Sequence, residues 1–234
     1  MRKKRFKHPP HQDIPALAVF ITRISGNDTH TGILHRDITG NLNIIDLLWH
    51  ESLRCGPVTG HYPHPYVIPD LIEEEIDSVS GLCRLIENRN STGNPQKIPY
   101  AFGVPMDTEI NSTGDIILKN GLGLTCSSFV LVVFKNAGVP ILNIEGWPKD
   151  RDDDKERHDK LLDLMRNGRP TNTPPIPPAS QEHVDKVEAS LPCIRVRPEE
   201  VAAAAIADKI PCGYRDAERG GKWIFTQLPT PPQQ

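Results

Sequence analysis

A lone cysteine heads the most apolar stretch of the chain. In "GLTCSSFVLVVFKNAG" (123–138), Cys126 follows a threonine, and no polar side chain occurs between Phe129 and Phe134. Thr125 is a good helix N-cap, Gly138 a good stop, and Pro140 bars continuation, so a helix is expected between them. A helix apolar on every side must be buried on every side. Its first turn carries unpaired N–H groups and the positive end of the macrodipole, which push a thiol toward the reactive thiolate. The same N–H groups can hold an oxyanion formed by attack on a carbonyl. Cys126 has two readings on these grounds: a nucleophile, or a small core residue as most free cysteines are. A thiolate nucleophile needs a histidine base, and there are nine histidines to choose from. His8 and His11 lie near the basic start. His158 and His183 sit among charges and read as solvated side chains on surface helices. Cys55, His61 and His64 suggest a metal site, but the spacing matches no strong zinc pattern and a fourth ligand is not obvious. His30, His35 and His50 remain as candidates for the base.

Those three lie on elements that must position them. "ALAVFITRI" (16–24), "HTGILH" (30–35) and "LNIIDLLWH" (42–50) read as strands. The turns between them, "SGND" and "ITGN", are too short for parallel crossovers, so the three strands form an antiparallel meander. "CGPVTGHYPHPYVIP" (55–69) reads as a proline-rich loop. Apolar residues at helical spacing predict a helix over 70–89, with Asp70 as its N-cap. "GDIILKNG" (114–121) suggests one arm of a short hairpin. After the Cys126 helix come a charged helix over 151–167, a polyproline-type linker over 171–180, and helices in "QEHVDKVEASL" and "RPEEVAAAAIADKI".

"HTGILHRDITGNLNIIDLLWH" resembles the histidine strand of NlpC-type peptidases in the papain-like superfamily. "GLTCSSFVLVVFKNAG" resembles that superfamily's nucleophile helix. Here the histidine strand precedes the cysteine helix, so the likeness is to the circularly permuted branch, over roughly residues 16–50 and 121–142. The resemblance implies Cys126 as nucleophile, His30 as base and a third, orienting residue on the next strand. That strand offers Asn43, Asp46 and His50. Asp46 is preferred because a carboxylate can fix the imidazole tautomer and stabilise its cation. Asp46, Leu48 and His50 share one face by period two, so His50 competes.

The expected fold is α+β and papain-like: a small antiparallel sheet packed on a central buried helix, with additional C-terminal helices. The expected division is a basic disordered tail (1–15), a catalytic core (16–142), a helical extension (143–228) containing the linker, and a disordered tail (229–234). Among 234 residues a formal charge of −3 suggests no nucleic-acid partner. No apolar run is long enough for a membrane span. "ALAVFI" is too short and too interrupted for a signal peptide, and five scattered cysteines imply no disulfide framework; a reducing, cytoplasmic setting is expected. The resemblance implies a cysteine hydrolase or acyl-transfer enzyme acting on an amide, ester or thioester, on a peptide-like or acyl substrate, with no cofactor and no metal. A binding or regulatory module that keeps the fold without turnover is the alternative.

Overall fold

The first five residues of strand β2 (Leu17–Ser25), Leu17 to Ile21, are all apolar because both faces of the strand are covered there. Leu17, Val19 and Ile21 face the main core, while Ala18 and Phe20 face a second cluster with Leu34, Ile44, Tyr62 and Tyr66. The structure, a computed structural model, describes residues 1–9, 14–59, 62–91, 93–119, 121–168 and 176–230. The chain is α+β. The meander continues through β3 (Asp28–Arg36), β4 (Leu42–Trp49) and β5 (Ser52–Pro57). With the short strands β1 (Phe6–Lys7) and β6 (Tyr66–Val67) it makes a six-stranded antiparallel sheet in the order β1-β6-β2-β3-β4-β5. The turns follow local chemistry. Gly26 takes a positive φ between β2 and β3, and Asp37 accepts the N–H groups of Thr39 and Asn41 between β3 and β4.

Helix α1 (Glu73–Asn90) and the hairpin of β7 (Glu109–Ile110) and β8 (Ile116–Ile117) flank the Cys126 helix, α2 (Cys126–Asn136). All residues of α2 from Cys126 to Phe134 are buried. Its cap is reciprocal: the Thr125 hydroxyl accepts the Ser128 N–H at 3.0 Å, and the Ser128 hydroxyl accepts the Thr125 N–H at 2.7 Å. At the other end Gly138 adopts φ +80°, and the Val139 N–H returns to the Phe134 carbonyl at 2.9 Å.

Helices α3 (Asp154–Asn167) and α4 (Gln181–Glu188) pack on each other and enclose a satellite cluster with Trp49 and Phe102. Helices α5 (Pro198–Ala205) and α6 (Tyr214–Gln227) lie together, and α5 also packs on β2, β3 and α2. A side chain at Gly220 would meet the Ala203 Cβ at 2.8 Å, so this glycine lets the two helices approach closely.

Several expectations are corrected here. The basic start is not a free tail over its described part. Phe6 is buried, β1 pairs with β6, and Arg2 and Arg5 both bind the Asp70 carboxylate. Asp70 is therefore engaged with the N-terminal segment and does not cap α1, whose N-cap position is Ile72. The proposed loop over 55–69 contains the end of β5 and all of β6. No boundary at 142 divides the packing, because Val201–Ala207, Ala217 and Ile224 share one core with Leu17, Ile33 and α2. The linker residues 171–175 and the tail residues 231–234 lie outside the described residues. Among the described residues no helix is long and apolar enough to cross a membrane.

The reciprocal cap predicts that Thr125→Ala destabilises the fold by about 1 kcal/mol. Denaturant melts check this; an unchanged midpoint would mean that the cap carries no stability.

Candidate active site

The ladder between β3 and β4 runs from Arg36 opposite Leu42 to Ile33 opposite Ile45 and stops. Beyond it the partner of β4 is β5, and the start of α2 comes against the free stretch of β3. The Thr31 backbone N–H faces the Cys126 sulphur there and favours its ionised form. The Tyr100 hydroxyl, from the loop before α2, lies 3.8 Å from the same sulphur and accepts the Cys126 N–H at 3.4 Å.

Next to Thr31, His30 lies close enough to Cys126 for the two to interact, and its Nε2 donates to Oδ2 of Asp46. Asp46 lies across the end of the ladder from Gly32 and must pass over it to reach His30. Glycine is required at 32 for that reason. A Cβ there would stand 2.4 Å from the Asp46 Cβ and 2.5 Å from the Phe20 ring. The His30 ring also packs against Phe20, with centroids 5.7 Å apart. Asp46 is fully buried and accepts two further bonds from one guanidinium, Arg54 Nε at 2.7 Å and Nη2 at 2.9 Å. Arg54 reaches it from the directly paired position on β5.

The electrostatics follow from this series of contacts. Burial works against a charged imidazole at His30, yet the charge of Cys126 and the hydrogen bond to Asp46 outweigh it and carry the pKa up to about 9. Burial likewise works against a thiolate at Cys126, yet the His30 charge and hydrogen bond, with the Thr31 N–H and the Tyr100 hydroxyl, hold its pKa below the usual thiol value. Both shifts favour the thiolate–imidazolium form of the pair over the neutral one. The other four cysteines move the opposite way. Burial raises Cys55 to about 12 and Cys212 to about 11, and it also raises Cys83 and Cys193.

Cys126 is only 5% exposed, but it lines a cleft of about 1130 Å³. His30, Trp49 and Tyr100 line it with Cys126, as do Leu161 and Leu164 of α3 and Phe225 of α6.

The structure thus brings Cys126, His30 and Asp46 together. The remaining candidates lie elsewhere. His50 does not share the Asp46 face, because the pairing of β4 with β5 shifts register between Leu47 and Trp49 and the strand ends at Trp49. Its Nδ1 accepts the Tyr100 N–H instead. Asn43 bonds Glu87, and the fully buried His35 also faces Glu87, at 3.0 Å. His158 and His183 are buried, contrary to the solvated reading, and bind the Val187 and Tyr100 carbonyls. Cys55 is on β5 and the His64 ring packs on Phe20 and Tyr62, while His61 lies outside the described residues. Among the described residues no group of three or more His, Cys, Asp or Glu side chains is arranged to hold a metal ion. Sequence reasoning missed Tyr100 and Arg54. An arginine two residues into the strand that pairs with Asp46 would have been the signal for Arg54, had β5 been recognised; Tyr100 left no local signal.

Asp46→Asn is predicted to lower the His30 pKa from about 9, because a neutral amide no longer favours the imidazolium. Gly32→Ala should do the same by forcing Asp46 away, whereas His50→Gln should leave the value nearly unmoved. NMR titration of the His30 ring protons reads all three; a shift in His50→Gln alone would transfer the orienting role. Comparison with known proteins finds no matching family model, curated protein or solved structure.

Proposed function

We propose that the chain is a cysteine hydrolase or acyl-transfer enzyme of the circularly permuted NlpC, papain-like type, acting on an amide (peptide or isopeptide), ester or thioester bond. One observation carries the reading: a thiol at a helix N-terminus, an imidazole and a fully buried carboxylate stand in series, with the thiol and the imidazole lining a large cleft. A buried ion pair costs desolvation free energy, and this one leaves its nucleophilic end facing space that a substrate can fill.

In the proposed reaction the Cys126 thiolate attacks the substrate carbonyl carbon. A C–S bond forms, and the carbonyl π electrons move to oxygen. The Cys126 N–H and the Tyr100 hydroxyl, which contact each other in the resting site, are placed to hold that oxyanion. As it collapses, the bond to the leaving amine, alkoxide or thiolate breaks, and the His30 imidazolium supplies a proton to the leaving group. A thioester on Cys126 remains. Neutral His30 then takes a proton from water, or from another acyl acceptor, as that nucleophile attacks the thioester. The acyl group leaves and the thiolate–imidazolium pair is restored. Asp46 keeps its charge throughout and holds the ring by Nε2, while Arg54 holds Asp46.

Activated acyl esters and thioesters, followed by peptide amides, test the reading. Mass spectrometry is expected to find the acyl group on Cys126 as a hydroxylamine-labile adduct. Cys126→Ala should abolish turnover, and His30→Gln should lower it by roughly 10²–10⁴-fold. Turnover that survives in Cys126→Ala would overturn the mechanism. Activity should also decline as pH rises through about 9, where His30 loses the proton that the leaving group requires. Iodoacetamide should modify Cys126 faster than Cys55, Cys83, Cys193 or Cys212, since thiolate character is required and only Cys126 has its pKa lowered. Rapid modification without turnover on any acyl substrate would favour a binding module instead.

A further inference from the structure

We infer that His50 and His183 are positioning residues for the proposed reaction: together they hold the N–H and the C=O of Tyr100 and so fix its phenol against Cys126. The inference rests on the role given to Tyr100 above. Tyr100 lies on an irregular segment, yet its polar backbone atoms are both engaged by side chains. Its N–H donates to His50 Nδ1 at 3.2 Å, and its C=O accepts from His183 Nε2 at 2.7 Å. The two histidines come from distant parts of the chain, the turn after β4 and the third residue of α4. Their rings lie 4.8 Å apart, so they form one unit around a single residue.

The clamp fixes direction as well as position. Neighbouring backbone bonds tie the same segment to the start of α2: the Leu124 N–H donates to the Pro99 carbonyl at 2.9 Å, and the Ala101 N–H donates to the Leu124 carbonyl at 3.0 Å. Trp49 lies against the Tyr100 ring, with centroids 4.9 Å apart. Backbone and ring are therefore both held, and the hydroxyl is left in contact with the Cys126 sulphur and N–H. The tautomers are set by the partners. His183 must carry its proton on Nε2 to donate to a carbonyl, and His50 must leave Nδ1 bare to accept an amide. Burial, and then the neighbouring His183 charge, hold the His50 pKa below its usual value, which suits a neutral acceptor.

The test is the pH dependence of Cys126 alkylation by iodoacetamide in the full chain, which needs no substrate. Tyr100→Phe removes one hydrogen bond to the thiolate and should move the midpoint up by about one pH unit. His183→Ala and His50→Ala should move it in the same direction. Added to Tyr100→Phe, neither should move it further, because each acts through the phenol. His183→Gln, which keeps a donor, and His50→Asn, which keeps an acceptor, should restore the wild-type midpoint. Thermal melts monitor folding; where an alanine variant fails to melt cooperatively, His183→Leu or His50→Leu, which fills the space without the hydrogen bond, takes its place. A midpoint unmoved in folded histidine variants, or a shift that adds to that of Tyr100→Phe, would overturn the inference. Absence of turnover on every acyl substrate would sink the hydrolase reading alone, because the midpoint reports the clamp independently.

Discussion

A carboxylate shut off from bulk solvent is the constraint around which this site is organised. Asp46 has no solvent exposure, and a lone charge in such a place costs several kcal/mol. Two cations on different strands offset that cost. Arg54 supplies a bidentate contact from β5, and His30 supplies the other from β3. The Arg54 head is partly exposed, so it retains some hydration while its donors point inward. A thiolate at Cys126 would hold the His30 charge in turn and make the four groups alternate in sign from the strand edge to the cleft.

This alternation needs the sheet and helix to meet at one place. Helix α2 is apolar enough to be buried along its length, and the sheet offers it the face bearing Ile33, Ile45 and Leu47. Because the β3–β4 ladder ends at Ile33 and Ile45, the polar start of α2 falls where β3 has a free N–H for the sulphur. Gly32 then leaves the space that Asp46 and Phe20 fill. Removing any one of these features would leave a charge without its partner, which is why the geometry is over-determined by packing rather than by the ion pairs alone.

Much of this arrangement is legible in the amino-acid sequence. The Thr125 cap and the apolar run after Cys126 announced a buried helix, and β2, β3 and β4 were readable from their composition and turns. His30 and Asp46 were less secure, since composition alone left His30, His35 and His50 open, and the choice among them came from a family resemblance. What stayed hidden depends on tertiary contact. The glycine pair in α6 disguises a helix whose close packing on Ala203 requires Gly220. The charges beside His158 and His183 mask the buried stripe that points them inward. The basic first residues read as a solvated tail, although Phe6 packs into the core and Arg2 and Arg5 find Asp70. Tyr100 was invisible because no periodicity marks it, and it reaches Cys126 only through the folding of an irregular segment.

The central claim is that the resting site holds a thiolate and an imidazolium rather than a neutral pair. Ultraviolet thiolate absorbance, recorded across pH for the wild type and for Cys126→Ser, tests it most directly. The account predicts that the difference between the two proteins already carries one thiolate's absorbance at neutral pH and loses it only on acidification. A difference that develops only near the ordinary thiol value of 9.0 would contradict it.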